Sequence, residues 1–217
     1  MRAFEPTERT RVRRLPERGV YDRDVIDAIL DEALICHLGT VVDGRPRVIP
    51  TIHARVGDTL YVHGSPASRT LRALREGAEA CVAVTLVDGL VLARSGFHSS
   101  INYRSVIVYG TAREVRDREE KLLAQEALVD HVVPGRSHDV RPPTEVELRQ
   151  TAIFALPLDE SSAKVRTGPP KDEDEDHALP IWAGVLPLRT EAGPPEDDPH
   201  LPPGLRPPPS VLRYRRP

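Results

Sequence analysis

Thr59-Leu60-Tyr61-Val62-His63-Gly64-Ser65-Pro66-Ala67-Ser68-Arg69-Thr70-Leu71 reads as a short apolar strand that ends in a turn and opens a helix. Ser65 stands at the expected N-cap and Pro66 at the first helical position, where a missing N–H costs nothing. Ala67, Leu71, Leu74 and Ala78 then recur at helical spacing. The N–H groups of that first turn, the Ser68 hydroxyl and the Arg69 guanidinium are expected to converge, which suits a phosphate or another dianion. A plain capped helix with a solvated arginine reads the same way. No Walker or Rossmann glycine pattern accompanies the turn, which points to a different nucleotide fold.

The flanking sequence is rich in short strands. Ala33 to Val42 is apolar and ends in Asp43-Gly44, a hairpin signal, with Pro46 to Val56 as the return strand. Ala80 to Val87 is a further strand, and Asp88-Gly89 is expected to turn the chain into Leu90 to Ala93. Ser105 to Tyr109 lacks alternation, which predicts burial on both faces, inside a barrel or at a subunit contact. Ala152 to Leu158 is the last strand. Helices are expected at Asp22 to Asp31, with Val25, Ile26, Ile29 and Leu30 on its apolar face, and at Asp117 to Val132. Many strands and few helices predict a mostly β, antiparallel barrel.

The 217 residues, 39% hydrophobic and 29% charged, fit one soluble domain with extensions. A formal charge of -3 gives no reason to expect nucleic acid. The N-terminal arginines Arg9, Arg11, Arg13, Arg14 and Arg18 interleave with acids and read as a solvated arm. No apolar run approaches the roughly 20 residues a bilayer span needs, and the N-terminus lacks a signal-peptide core. Cys36 and Cys81 sit in apolar runs as reduced core residues, so the expected compartment is the cytoplasm. The acidic run Lys171 to His177 reads as solvated. Residues 193–217 hold nine of the 22 prolines and read as an extended or disordered tail. Between them Leu179 to Leu188, with the single tryptophan Trp182, is an apolar island that must dock on its own barrel or on a partner subunit.

His37, His53, His98 and His131 show no metal-ligand spacing, so no metal is expected. No nucleophile motif or paired acid appears either, and hard chemistry would fall to a cofactor.

Several stretches together resemble the flavin-nucleotide-binding split barrels related to pyridoxamine 5′-phosphate oxidase, nearest the branch that contains the nitroimidazole-resistance reductases. They are Arg47-Val48-Ile49-Pro50-Thr51, Leu60 to Gly64, Ser68-Arg69, Asp88 to Ser95 and Asn102 to Gly110, followed by Lys164 to Gly168 and Trp182-Ala183-Gly184. The resemblance covers about Tyr21 to Leu188. It implies a six-stranded antiparallel split barrel over residues 21–188, with an arm at 1–20 and a tail at 189–217.

It also implies FMN as cofactor, with its phosphate on Ser68 and Arg69 and its ring along Arg47, Val48, Ile49, Pro50 and Thr51. His63 and Gly64 would pass the ribityl and ring, with His63 facing the acceptor as the catalytic residue. Asn102, Tyr103, Arg104 and Ser105 would approach the flavin across a homodimer interface, and Lys164, Arg166 and Trp182 would close the site from the second subunit. The implied activity is two-electron transfer to a small organic acceptor, nitro compounds included. Classical oxidases carry a lysine after the phosphate arginine. Thr70 stands there in this chain, which argues against pyridoxamine-phosphate oxidation. Three alternatives remain: a haem-binding split barrel with His63 or His53 on the iron, a flavin-binding protein without turnover, and a deazaflavin in place of FMN.

Overall fold

The computed structural model describes residues 3–215. In chain order the elements are β1 (Gly19–Val20), α1 (Arg23–Glu32), β2 (Ile35–Val42), β3 (Arg45–Val56), β4 (Thr59–Gly64), α2 (Arg69–Arg75), β5 (Glu79–Leu92) and β6 (Ser100–Thr111). They continue with β7 (Arg113–Glu114), α3 (Arg118–Val132), α4 (Glu145–Gln150), β8 (Ala152–Pro157), β9 (Glu160–Arg166), β10 (Gly184–Pro187) and α5 (Pro209–Leu212). The class is the expected one, mostly β with flanking helices. Among the described residues the strands number ten rather than six. The additional ones are short, or polar like β9.

The chain divides into two compact units. The first comprises the chain up to Ala33, Ala83–Val108 and Asp159–Thr190. Its strand order is β1-β9-β6-β5, with β10 antiparallel on β5. Helix α1 starts where Asp22 accepts from the backbone N–H groups of Asp24 and Val25 at 2.9 and 3.2 Å. It buries Ile26, Ile29 and Leu30, while Val25 is exposed. An apolar stripe over a cap drives this helix onto its unit.

The second unit comprises Leu34–Val82, Tyr109–Leu158 and the chain from Glu191. Its order is β2-β3-β4-β8-β7. The β2–β3 hairpin turns at Asp43 and Gly44, both left-handed at φ 52° and 70°, as the favoured two-residue turn requires. Helix α3, capped by Asp117 onto the Glu120 N–H at 2.8 Å, buries Ala124 against Tyr61, Val115, Ile153 and Ala155.

Three local expectations are corrected. Asp88-Gly89 does not turn: β5 runs through it, because Gly89 pairs with Pro187 of β10 and a Cβ there would meet the Leu186 carbonyl at 3.1 Å. The strand buried on both faces is β8, from Ala152 to Leu156. Within the single chain β6 alternates, with Val106 and Val108 buried and Ile107 and Tyr109 half-buried, so its own barrel covers one face and not both. The cap of α2 is Ser68, not Ser65; Ser65 Oγ accepts from the Ala67 N–H within the preceding turn.

The acidic run is not wholly solvated. The Asp172 side chain is 2% exposed and accepts from the Arg94 backbone N–H at 2.7 Å and from its guanidinium at 2.9 Å. Residues 193–208 carry no strand or helix, and α5 beyond them sends the Ser210 hydroxyl to Asp139. Both cysteines are free thiols, and burial pushes Cys36 up to about 12. No helix among the described residues is long and apolar enough to cross a membrane.

Candidate functional site

The residues singled out in the sequence fall into two groups, one in each unit. In the second unit, β3 pairs with β2 from Arg45 to Ile52, but with β4 only from His53 to Val56. Beyond His53, β4 leaves β3 and runs on to His63 and Gly64, opposite Ile153 and Ala152 of β8. One backbone edge of β3 at Arg47–Thr51 is therefore uncovered among the described residues, and Val48 there is 64% exposed. A bare strand edge offers fixed N–H and C=O groups to whatever lies beside it.

Gly64 permits the tight passage from β4 into α2, since a Cβ there would touch Leu71 Cδ1 at 3.0 Å. Ser68 caps α2, accepting from the Leu71 N–H at 3.5 Å. That is the structural role a serine takes at a helix start, and it leaves the hydroxyl proton available to an anion. Arg69 is exposed, and no carboxylate among the described residues pairs with it. This turn and the β3 edge are the parts of the second unit that suit a phosphate and a planar polar ring.

His63 closes β4 half-buried. Its Nδ1 is buried without a hydrogen-bond partner among the described residues, and burial holds its pKa below the usual imidazole range. The ring is therefore neutral at pH 7, with an uncommitted nitrogen able to accept a proton or ligate a metal. His53 is wholly buried on β3, its ring centroid 4.6 Å from that of His131.

In the first unit, Asn102, Tyr103, Arg104 and Ser105 lie on β6, and Lys164 and Arg166 on β9. The Arg104 guanidinium is clamped by Glu32 and Asp88, with 2.7 Å contacts to each carboxylate. Those hydrogen bonds drive its pKa far above the usual value. The Ser105 hydroxyl donates to the Lys164 carbonyl at 3.3 Å, and the Lys164 ammonium to the Arg14 carbonyl at 3.1 Å. Arg166 donates to the Asn102 amide oxygen, and Asn102 Nδ2 to the Gly168 carbonyl at 3.1 Å. Trp182, 68% exposed, precedes β10.

The sequence gives no sign of Glu32 and Asp88 as the partners of Arg104, nor that Arg18, read as part of a solvated arm, directly precedes the pairing of Gly19 with Lys164 on β9. These pairings join positions far apart in the chain, and no local signal announces them. Among the described residues, no group of three or more His, Cys, Asp or Glu side chains is arranged to hold a metal ion.

The profile of the pyridoxamine 5′-phosphate oxidase family matches residues 22–165. The flavocytochrome Anf3 of Azotobacter vinelandii superposes with a TM-score of 0.91 at 40% identity, covering 98% of this chain and 99% of that one. A FAD- and haem-binding protein of Mycobacterium smegmatis gives 0.87 at 41% identity, covering 90% of this chain and 96% of that one. A putative 5-nitroimidazole antibiotic resistance protein of Bacteroides thetaiotaomicron shares the fold, with a TM-score of 0.58 at 24% identity over 68% of this chain and 86% of that one. Among curated proteins none matches.

Proposed function

This chain belongs to the pyridoxamine 5′-phosphate oxidase family, and on that footing we propose that it is a redox protein carrying a flavin nucleotide together with a haem. The observation that carries the reading is the near full-length likeness, at 40% and 41% identity, to a flavocytochrome and to a FAD- and haem-binding protein. The flavin is then FAD. Its FMN moiety keeps the expected residues in play, because the phosphate beside the ribityl chain is common to both nucleotides.

The residues present fit such a group. The uncovered edge of β3 at Arg47, Val48, Ile49, Pro50 and Thr51 would orient the ring through backbone dipoles, which can stabilise charge developing on it without reorganising. Gly64 lets the chain turn close by, and Ser68 and Arg69 would hold phosphate through charge-assisted hydrogen bonds. Asn102, Tyr103, Arg104, Ser105, Lys164, Arg166 and Trp182 would be contributed by a second copy of the chain, as the family resemblance implies. There Arg104 is a positioning residue, since its donors go to Glu32 and Asp88.

For the haem, His63 offers the neutral imidazole that iron requires. His53, packed on His131, is the poorer candidate. Bound flavin supplies hydride and electron transfer, and haem supplies one-electron and dioxygen chemistry.

The acceptor would be a small organic molecule or dioxygen, and the working form a cytoplasmic homodimer. The apolar residues Ile181, Trp182, Leu186 and Leu188 are each at least 40% exposed in the single chain, which supports burial against a second copy. Titration of the purified protein with FAD, FMN and haemin, followed by reduction with NADPH, tests the reading. Saturable spectral shifts with FAD and haemin are expected, and reduction of bound flavin marks an enzyme rather than a carrier. Failure to bind any flavin contradicts it.

A further inference from the structure

We infer that Arg166, with Asn102 and Arg18, forms an oxyanion site in the first unit that takes a phosphate or carboxylate group. Arg166 is 8% exposed. Long charged side chains reach such burial when a counter-charge accompanies them. Yet the described residues give Arg166 a single acceptor, the neutral amide oxygen of Asn102. Asn102 is fixed in turn by the Gly168 carbonyl at 3.1 Å, so it orients the guanidinium without neutralising it.

The surroundings add positive charge. Arg18 ends the 3-10 turn Pro16–Arg18 and directly precedes Gly19, which pairs with Lys164 of β9, so it stands beside the strand that carries Arg166 and near enough to repel it. Burial and that repulsion depress the pKa of Arg166, the reverse of what ion-paired arginines such as Arg104 show. Tyr103 stands near enough to bear on it as well.

Among the described residues no carboxylate pairs with Arg166, so two cations and a phenol stand together there without a negative charge. A guanidinium with its flat donor fork largely unspent selects planar or tetrahedral oxyanions. Carboxylate and phosphate share that chemistry. The source of the anion, a flavin pyrophosphate, a haem propionate or an acid group on the acceptor, rests on the proposed function. The site itself does not.

The test is thermal unfolding of the full chain, purified free of flavin and haem, in inorganic phosphate, pyrophosphate or acetate against chloride at matched ionic strength. The wild type should unfold at a higher temperature in at least one oxyanion than in chloride. A preference for pyrophosphate marks the flavin phosphates as source, and one for acetate marks a carboxylate. Arg166→Met should lose the oxyanion response, and in chloride it should unfold no earlier than wild type, since it removes an uncompensated buried charge.

A merely structural arginine predicts the opposite: earlier unfolding of Arg166→Met and no oxyanion response in wild type. If Arg166→Met does not fold, Arg18→Gln decides, with an expected loss of roughly two- to fivefold in anion affinity. Unchanged affinity overturns the site. Flavin absorbance followed in parallel keeps the readings apart, because an oxyanion response without flavin binding sinks the flavin proposal and leaves this site standing.

Discussion

A methyl group built on Gly184 would lie 2.8 Å from Cζ2 and 3.0 Å from Cη2 of Trp182. The indole therefore rests over the first residue of β10, in a place only glycine leaves free. Trp182 is the single tryptophan of the sequence.

Gly184→Ala should displace the indole with little loss of stability, within about 1 kcal/mol, because an exposed ring can swing aside. Tryptophan emission, which reports this residue alone, should become more mobile by anisotropy, and any quenching by bound flavin should weaken. Unchanged anisotropy would show that the contact does not fix Trp182.

Arg69→Ala should weaken flavin nucleotide binding about ten- to a hundredfold, the cost of one charge-assisted contact of roughly 1.5–3 kcal/mol. Riboflavin, which has no phosphate, should bind both proteins alike. Equal nucleotide affinity in a fluorescence titration would remove Arg69 from the site.

His63→Ala should abolish or shift the Soret band while leaving flavin content intact, since the phosphate and backbone contacts remain. Should the Soret band survive while turnover falls by about 10²–10⁴, His63 instead faces the acceptor as an acid–base group. The pH dependence has a definite sign. Burial lowers the His63 pKa below 6.5 in the folded chain, so the unfolded chain binds more protons just below that value. Stability should fall as pH drops below about 6.5, and His63→Asn should flatten part of that slope in thermal melts.

Deleting residues 193–217 should leave flavin binding in place, because 193–208 form neither strand nor helix and α5 is a short exposed turn tied by Ser210 to Asp139. Deleting from Ile181 onward also removes β10 and its pairing with β5 over Gly89–Leu92. That truncation should lose soluble yield and flavin together. Identical behaviour of the two truncations would contradict a role for the Trp182 segment.

Much of the fold was legible because its signals are local. Asp43-Gly44 specified a hairpin turn, Asp22 and Asp117 specified helix starts, and alternating apolar residues marked the strands beside them. The misreadings have tertiary causes. Asp88-Gly89 looks like a turn, but Arg104 holds Asp88 and β10 lies along Gly89. β9 buries Ser161 and Ser162, polar residues that give no strand signal. The strand–turn–helix arrangement that carries His63, Gly64, Ser68 and Arg69 was legible from the sequence. The shortage of counter-charge around Arg166 was not, since it depends on which side chains meet from β6, β9 and the arm.

The visible spectrum of the protein as purified, with the mass of what it releases on denaturation, tests the account most directly. Flavin bands and a Soret band are expected together, with FAD and haem released. A protein that is colourless as purified, and that stays so after incubation with FAD and haemin, would contradict it.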